Sequence, residues 1–229
     1  MKRILTYFTR LELAIWAFSV AVIVTSYLVF DRESYLTLLA SLVGITAILL
    51  SAKGNPIGQA LMVVFSISYG AISYSFAYYG EMITYLGMSG PMALLALISW
   101  LRNPYKGKRS EVRVSKIGRV EMPLMWLGTV AVTVAFYVIL RYFDTANLLP
   151  STLSVATSFL AVYLTFRRSP YFALVYAVND VVLIVLWVLA SMEEIRYVSV
   201  VGCFLAFLAN DLYCFISWLH MRRRQAQEA

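Results

Sequence analysis

Charge is scarce in this chain. Of its 229 residues, 14% are Asp, Glu, Lys or Arg and 61% are hydrophobic, whereas soluble domains carry roughly 25% charged residues, so a water-soluble fold could not cover the apolar surface. Histidine occurs once and cysteine twice. Cys203 and Cys214 fall about three turns apart on one expected helix, too far along the axis to bridge each other, and read as apolar filler. His220 stands at a basic helix end, where a membrane-surface role outweighs catalysis. No metal-ligand spacing, nucleophile elbow or phosphate-binding glycine loop is present, so the sequence argues against an enzyme and calls for no cofactor. Strict in/out alternation is missing too. The run Val181 to Trp187 is apolar at every position, which excludes the strands of a membrane β-barrel.

What the chain does have is apolar stretches of about 20 residues, the length needed to cross a roughly 30 Å hydrocarbon layer as helix. Eight are expected: Leu13 to Phe30, Tyr35 to Ser51, Ile57 to Tyr79, Met82 to Leu101, Met122 to Phe143, Pro150 to Phe166, Pro170 to Ser191, and Ile195 to His220. The fold class is therefore an all-α integral membrane protein. Asn55-Pro56 and Ser169-Pro170 place proline where a helix begins and a missing N–H costs nothing. Lys2, Arg3 and Arg10 precede the first span, but its apolar run is too long for a signal peptide and reads as a helix.

Lysine and arginine set the expected orientation. With the N-terminus in the cytoplasm, 16 of the 19 basic residues fall on that side: Lys2, Arg3, Arg10, Lys53, the seven from Arg102 to Arg119, Arg167, Arg168 and Arg222 to Arg224. Arg32, Arg141 and Arg196 fall opposite, with Asp31, Glu33, Glu81, Asp144, Glu193 and Glu194. This asymmetry predicts both termini in the cytoplasm of a multi-pass protein of the cell membrane. Because the basic residues sit in loops between spans, lipid and not nucleic acid is the expected neighbour.

The second to fourth spans resemble the sixth to eighth. Asn55-Pro56 and Ser169-Pro170 open the middle helix of each trio, Glu81 and Glu193 close it, and Ser99-Trp100 and Ser217-Trp218 stand near the end of the third. The resulting plan is 3+1+3. Residues 1–34 form an extra first helix, 35–101 a first three-helix bundle, 102–121 a basic cytoplasmic loop lying on the membrane surface, and 122–149 a linker helix. Residues 150–220 form a second bundle, parallel to the first, and 221–229 a tail. Repeats of this kind typify transporters that bind cargo near mid-membrane between two rocking halves.

Two Asn-Asp pairs, Asn179-Asp180 and Asn210-Asp211, interrupt apolar helices. A carboxylate at such depth costs at least about 2.5–3.5 kcal/mol on insertion scales, and counting from the cytoplasmic ends puts both pairs roughly 14–15 Å deep, near the midplane. Trp187 and Trp218 follow the two aspartates by two turns, on nearly the same face. Gln59, Ser66, Tyr69 and Ser73 form a polar stripe on the third helix. Carboxylate, amide and indole together suit a polar, aromatic and cationic cargo. Gly87-Met-Ser-Gly90-Pro91 reads as a packing site or kink, and Trp100 and Trp218 as interfacial anchors.

Lys53-Gly-Asn-Pro-Ile-Gly58, Tyr79-Gly-Glu-Met82, Ser110-Glu-Val-Arg-Val114, Asn179-Asp180 and Asn210-Asp-Leu-Tyr213 together resemble the PnuC family of nicotinamide riboside transporters. The resemblance spans nearly the whole chain beyond the first helix. It implies a 3+1+3, SWEET-like transporter taking up the riboside, a precursor of NAD, by facilitated diffusion with alternating access, with trapping by a cytoplasmic riboside kinase. Substrate contacts are then expected among Gln59, Ser66, Tyr69, Asn179, Asp180, Trp187, Asn210, Asp211 and Tyr213. Where many members of that family carry two tryptophans before the seventh-helix asparagine and a glutamine in the sixth helix, this chain has Phe172, Val175 and Ala161; Phe172 or Tyr176 stands as the substitute. Uptake of thiamine or another vitamin, proton-coupled uptake through Asp180 and Asp211, and a membrane sensor or assembly subunit with the polar pairs joining helices remain alternatives, and the sequence leaves a homo-oligomer open.

Overall fold

A computed structural model describes residues 7–75, 79–145 and 147–228. Eight helices in it are long and apolar enough to cross a membrane: α1 (Arg10–Phe30), α2 (Tyr35–Ala52), α3 (Pro56–Ser75), α4 (Tyr79–Arg102), α5 (Glu121–Tyr142), α6 (Leu148–Phe166), α7 (Tyr171–Ser191) and α8 (Val198–Gln227), the last entered through a 3-10 turn, Ile195–Tyr197. The expected spans match these within a few residues at most ends. Tyr79, expected to close the third span, opens α4 instead, and the end of that span lies outside the described residues. Helix α8 continues to Gln227 instead of stopping at His220, so most of the expected tail is helical.

Local signals account for the boundaries. Helix α1 opens on a capping box, in which the Thr9 hydroxyl accepts from the Glu12 N–H and the Glu12 carboxylate accepts from the Thr9 N–H; two orphan donors are thereby satisfied. Pro91 has no N–H to give back to the preceding turn. Just before it the ladder of α4 slips into a π-helical turn over Tyr85–Ser89, and the Gly90 N–H bonds the Tyr85 carbonyl. The expected kink is thus a π-bulge, a feature found most often at functional sites.

Helices α2, α3 and α4 pack in succession, as do α6, α7 and α8; the two trios meet where α4 lies on α6 and α8 lies on α2. Exchanging the trios exchanges these two contacts, as a pseudo-two-fold requires. The bonds at the joint are interchanged in the same way. Ser99 Oγ donates to the Phe166 carbonyl and Trp100 Nε1 to that of Thr165, while Ser217 Oγ donates to the Ala52 carbonyl and Trp218 Nε1 to that of Ser51. Each trio thus caps the orphan C-terminal carbonyls of the other's first helix. Trp100 and Trp218 are fully buried, which overturns their reading as interfacial anchors: their indole N–H groups are used inside the protein.

The turns after α2 and α6 repeat as well. Gly54 and Arg168 both take left-handed φ, +68° and +57°, and the same pattern of N–H bonds closes each turn onto the helix before it. Glycine adopts this conformation freely; arginine does so at a cost. At the helix ends, Lys53 Nζ pairs with Glu12 of α1 at 3.1 Å and Arg167 Nη2 with Glu121 of α5 at 2.7 Å. Helix α1 packs on α2 and α8 as α5 packs on α6 and the start of α4. The first helix therefore occupies, on one half, the position that the linker helix occupies on the other.

The basic segment after α4 does not lie loose. Strands β1 (Pro104–Tyr105) and β2 (Lys108–Val112) form a hairpin whose turn residues Lys106 and Gly107 both have positive φ, the condition for a type I′ turn. Beyond it the chain crosses both helix turns: the Val112 N–H bonds the Gly54 carbonyl and the Ser115 N–H bonds that of Arg168. Gln225 of α8 holds the segment from the other side, accepting from the Val114 N–H and donating to the Val112 carbonyl.

Candidate functional site

Between the trios lies a cavity of about 60 Å³ to which all six of their helices contribute. Its polar lining is Ser66, Ser89, Ser158, Asn179, Asp180 and Asp211, with Tyr85 and Tyr176; Met62, Phe65, Phe204 and Phe207 supply apolar walls. Repeat partners face each other across it. Met62 and Tyr176, Phe65 and Asn179, and Ser66 and Asp180 stand at one constant offset, and Ala93 and Asp211 share the offset of the Ser-Trp pairs. The cavity therefore sits on the pseudo-two-fold, but its chemistry is lopsided. Asn179, Asp180 and Asp211 come from the second trio, where the first offers Phe65, Ser66 and Ala93.

Asn179 is held in a defined orientation. Its Oδ1 accepts from Thr157 Oγ1 at 2.7 Å and Ser158 Oγ at 3.1 Å, which assigns the amide flip and turns the NH₂ away from α6 as a donor. The Asp180 and Asp211 carboxyls line the same cavity, near enough to influence each other electrostatically, and Asp180 Oδ2 is buried without a hydrogen-bond partner. Among the described residues, no lysine, arginine or histidine lines the cavity. A site with two carboxyl groups, no basic side chain among the described residues and aromatic walls is suited to a cation, which pairs with a carboxylate and stacks on the rings.

Both ends of the cavity are closed by aromatic side chains. Toward the acidic-loop end, Tyr69 packs on Tyr85 with centroids 4.5 Å apart and on Phe65 and Phe204; beyond it Tyr69 and Trp187 line a small recess with Asp31 and Arg196. Toward the basic end, Tyr176 meets Phe172, which packs on Trp218 at 4.9 Å and on Trp100. The enclosed space admits a few waters, whereas pockets for nucleoside-sized ligands run to roughly 300–1,000 Å³.

Of the nine residues singled out from the sequence, the structure brings Ser66, Asn179, Asp180 and Asp211 to the cavity. Tyr69 and Trp187 stand at its acidic-loop end. The other three are elsewhere. Gln59 Nε2 donates to Ser51 Oγ across α2 and α3. Asn210 Nδ2 donates to Ser19 Oγ of α1 at 2.7 Å and to the Ala206 carbonyl. Tyr213 OH donates to Glu12 Oε1 of α1. These groups join helices, the common use of polar side chains in membranes, and the expectation that Asn179 and Asn210 face one chamber is corrected accordingly: the chamber is there, but Asn210 turns to α1. Sequence reasoning missed Tyr85, Ser89, Ser158, Phe204 and Phe207. Only the Gly-Met-Ser-Gly-Pro kink signalled any of them, since the π-turn it causes presents Tyr85 and Ser89.

Residues 34–220 match the family model described as nicotinamide mononucleotide transporter. A nicotinamide riboside transporter PnuC from Neisseria mucosa (strain ATCC 25996 / DSM 4631 / NCTC 10774 / M26) is 26% identical over 220 residues, covering 93% of this chain and 82% of that protein. The fold is similar to that in a crystal structure of the vitamin B3 transporter PnuC, with a TM-score of 0.80 at 20% identity, covering 95% of this chain and 94% of that one.

Proposed function

This chain belongs to the nicotinamide mononucleotide transporter family, a family of multi-pass membrane transporters and not of enzymes, and we propose that its own cargo is nicotinamide riboside. The observation that carries the reading is the pair of carboxyl groups, Asp180 and Asp211, in a cavity with aromatic side chains at both ends and no basic side chain among the described residues. The riboside has a fixed pyridinium charge, an amide and ribose hydroxyls. Asp180 and Asp211 balance the first, the Asn179 NH₂ donates to a carbonyl or hydroxyl, Tyr85, Tyr176 and Phe65 offer ring faces, and Ser66, Ser89 and Ser158 meet hydroxyls. Tyr176 takes the place sought for an aromatic substitute; Phe172 belongs to the closure at the basic end.

In this reading the two halves are the parallel bundles of a 3+1+3, SWEET-like carrier, the basic end and both termini are cytoplasmic, and cargo crosses by facilitated diffusion with alternating access. The closed aromatic layers on both sides are consistent with an occluded conformation that opens to admit cargo. Release into the cytoplasm is made one-way by phosphorylation in a riboside kinase.

Calorimetry on the purified chain tests the cargo: nicotinamide riboside should bind and thiamine, also a cationic heteroaromatic, should bind at least tenfold more weakly. Tight thiamine binding with none of the riboside would overturn the assignment. Proton coupling through the two aspartates is separated by uptake into proteoliposomes, which facilitated diffusion predicts to be unchanged by an imposed pH gradient.

A further inference from the structure

At the basic end, separate from the cavity between the trios, lies an open cavity of about 980 Å³ bounded by the loop after the hairpin, the α6–α7 turn and the end of α8. Five cationic side chains line it: Lys106, Arg113, Lys116, Arg168 and Arg222. Glu228 is the carboxylate among the lining residues, and Lys106 Nζ and Tyr105 OH already engage it at 2.9 and 3.0 Å. Elsewhere on this end, Lys53, Arg167 and Arg224 each pair with a glutamate. Arg113, Lys116, Arg168 and Arg222 form no salt bridge among the described residues. Arg222 lies over the Tyr171 ring, 5.8 Å from its centroid. The rule that places basic residues in such loops asks for their presence; it does not ask four of them to converge on one hollow without a carboxylate partner.

Arg168 is the best placed of these. Its left-handed backbone and its Nη1 bond to Ser99 Oγ at 2.8 Å fix the guanidinium, while its Nε is buried without a hydrogen-bond partner. Burial and the neighbouring charges of Arg167 and Arg113 hold this group below its ordinary value, the mark of cations assembled without their counterion. A planar, forked donor of this kind matches phosphate oxygens.

We propose that this cavity is a binding site for a phosphate-bearing anion, with Arg113, Lys116, Arg168 and Arg222 as its ligands. Two sources share that chemistry, a soluble phosphate compound and the headgroup of an anionic lipid. Arg168 also connects the site to the joint between the halves, because Ser99, which accepts its bond, precedes Trp100.

The test uses the full chain in nanodiscs, with inorganic pyrophosphate as soluble probe and sodium chloride of matched ionic strength as reference. In phosphatidylcholine discs a soluble-phosphate site gives a rise in Tm of about 5 °C or more near saturation. A headgroup site instead gives the rise when phosphatidylglycerol is included, with pyrophosphate adding nothing further. In either case R113Q/K116Q, two exposed positions, should weaken the response about tenfold or more, whereas R102Q/R109Q, which removes equal charge outside the cavity, should leave it within twofold. No rise above chloride in either lipid, or equal loss in both variants, would overturn the site. Cargo binding is not read in this experiment, so its failure and that of the transport reading are distinguishable.

Discussion

Replacing Asn179 and Asn210 by alanine, one at a time, separates two roles that the sequence makes look alike. Asn179 touches the cavity, and of the two hydroxyls on its Oδ1, Thr157 Oγ1 also bonds the Leu153 and Ser154 carbonyls, while Ser158 is only part-buried and can turn to another acceptor. Its loss therefore costs the fold little, while a cargo group loses its donor in a closed site, worth about 1.5 kcal/mol or roughly tenfold in Kd. Asn210 is 1% exposed and ties α8 to Ser19 of α1, itself 1% exposed. Such a bond between membrane helices averages about 0.6 kcal/mol and reaches about 1.7, which for a chain of this size lowers Tm by roughly 1–7 °C. Calorimetry with the riboside and thermal unfolding of the same detergent preparations should show Asn179→Ala weak in binding with Tm nearly unchanged, and Asn210→Ala lower in Tm with Kd within about twofold of the parent. Equal losses of affinity in the two variants would refute the placement of Asn210 in a helix joint.

The interchange of bonds at the basic end predicts that Trp100→Phe and Trp218→Phe destabilise by similar amounts, about 1 kcal/mol each; because the rings touch, with centroids 5.3 Å apart, the double variant should deviate from additivity by roughly 0.5–1.5 kcal/mol in a thermal-unfolding cycle. Where the hairpin meets the end of α8, the hydrogen bonds from Lys106 and Tyr105 hold the Glu228 carboxyl below the usual carboxylate range. A depressed acid stabilises its contact above the unfolded value, near 4.3, and the contact is lost as pH falls through the folded value. Spin labels at Arg109 and Ala226 should hold a fixed distance through neutrality and separate in acid, and Glu228→Gln should abolish that transition.

Hydropathy and loop charge made the eight spans legible because each depends on composition alone: a helix in lipid must satisfy its own backbone, so its apolar length is its signature. The two prolines marked real helix starts for the same local reason. Helix rotation carries no such signature. Asn179 and Asn210 occupy matching depths, yet which way each points is set by what packs beside it, and the neighbour of α8 at that depth is α1, a helix read as an addition without a partner. The mispricing of Trp100 and Trp218 has a related cause. A tryptophan near a span end is an interfacial anchor when its N–H meets water or headgroups, and becomes a cap when another helix brings carbonyls to it, which only the second half of the chain supplies.

The lopsided cavity follows from the same internal repeat. Two halves that exchange their joint bonds, their turns and their Glu-to-cation pairs are constrained wherever a change must fit both the half and its mate's reciprocal contact. The lining positions escape that constraint, because Phe65 and Asn179, or Ala93 and Asp211, face the cavity and not each other's helix ends. The framework can therefore stay symmetric while the lining differs, and on the proposed reading this lets the halves rock as equivalent bodies around a site that recognises an asymmetric cation. An Ala93→Asp substitution would restore symmetry there and add a third carboxyl group to a cavity that no basic side chain among the described residues lines. The expected result is impaired cargo binding with the joint at Trp100 and Trp218 intact, read as a loss of affinity without loss of their buried fluorescence; normal affinity in that variant would show that the acids of the second half are not what selects the cargo.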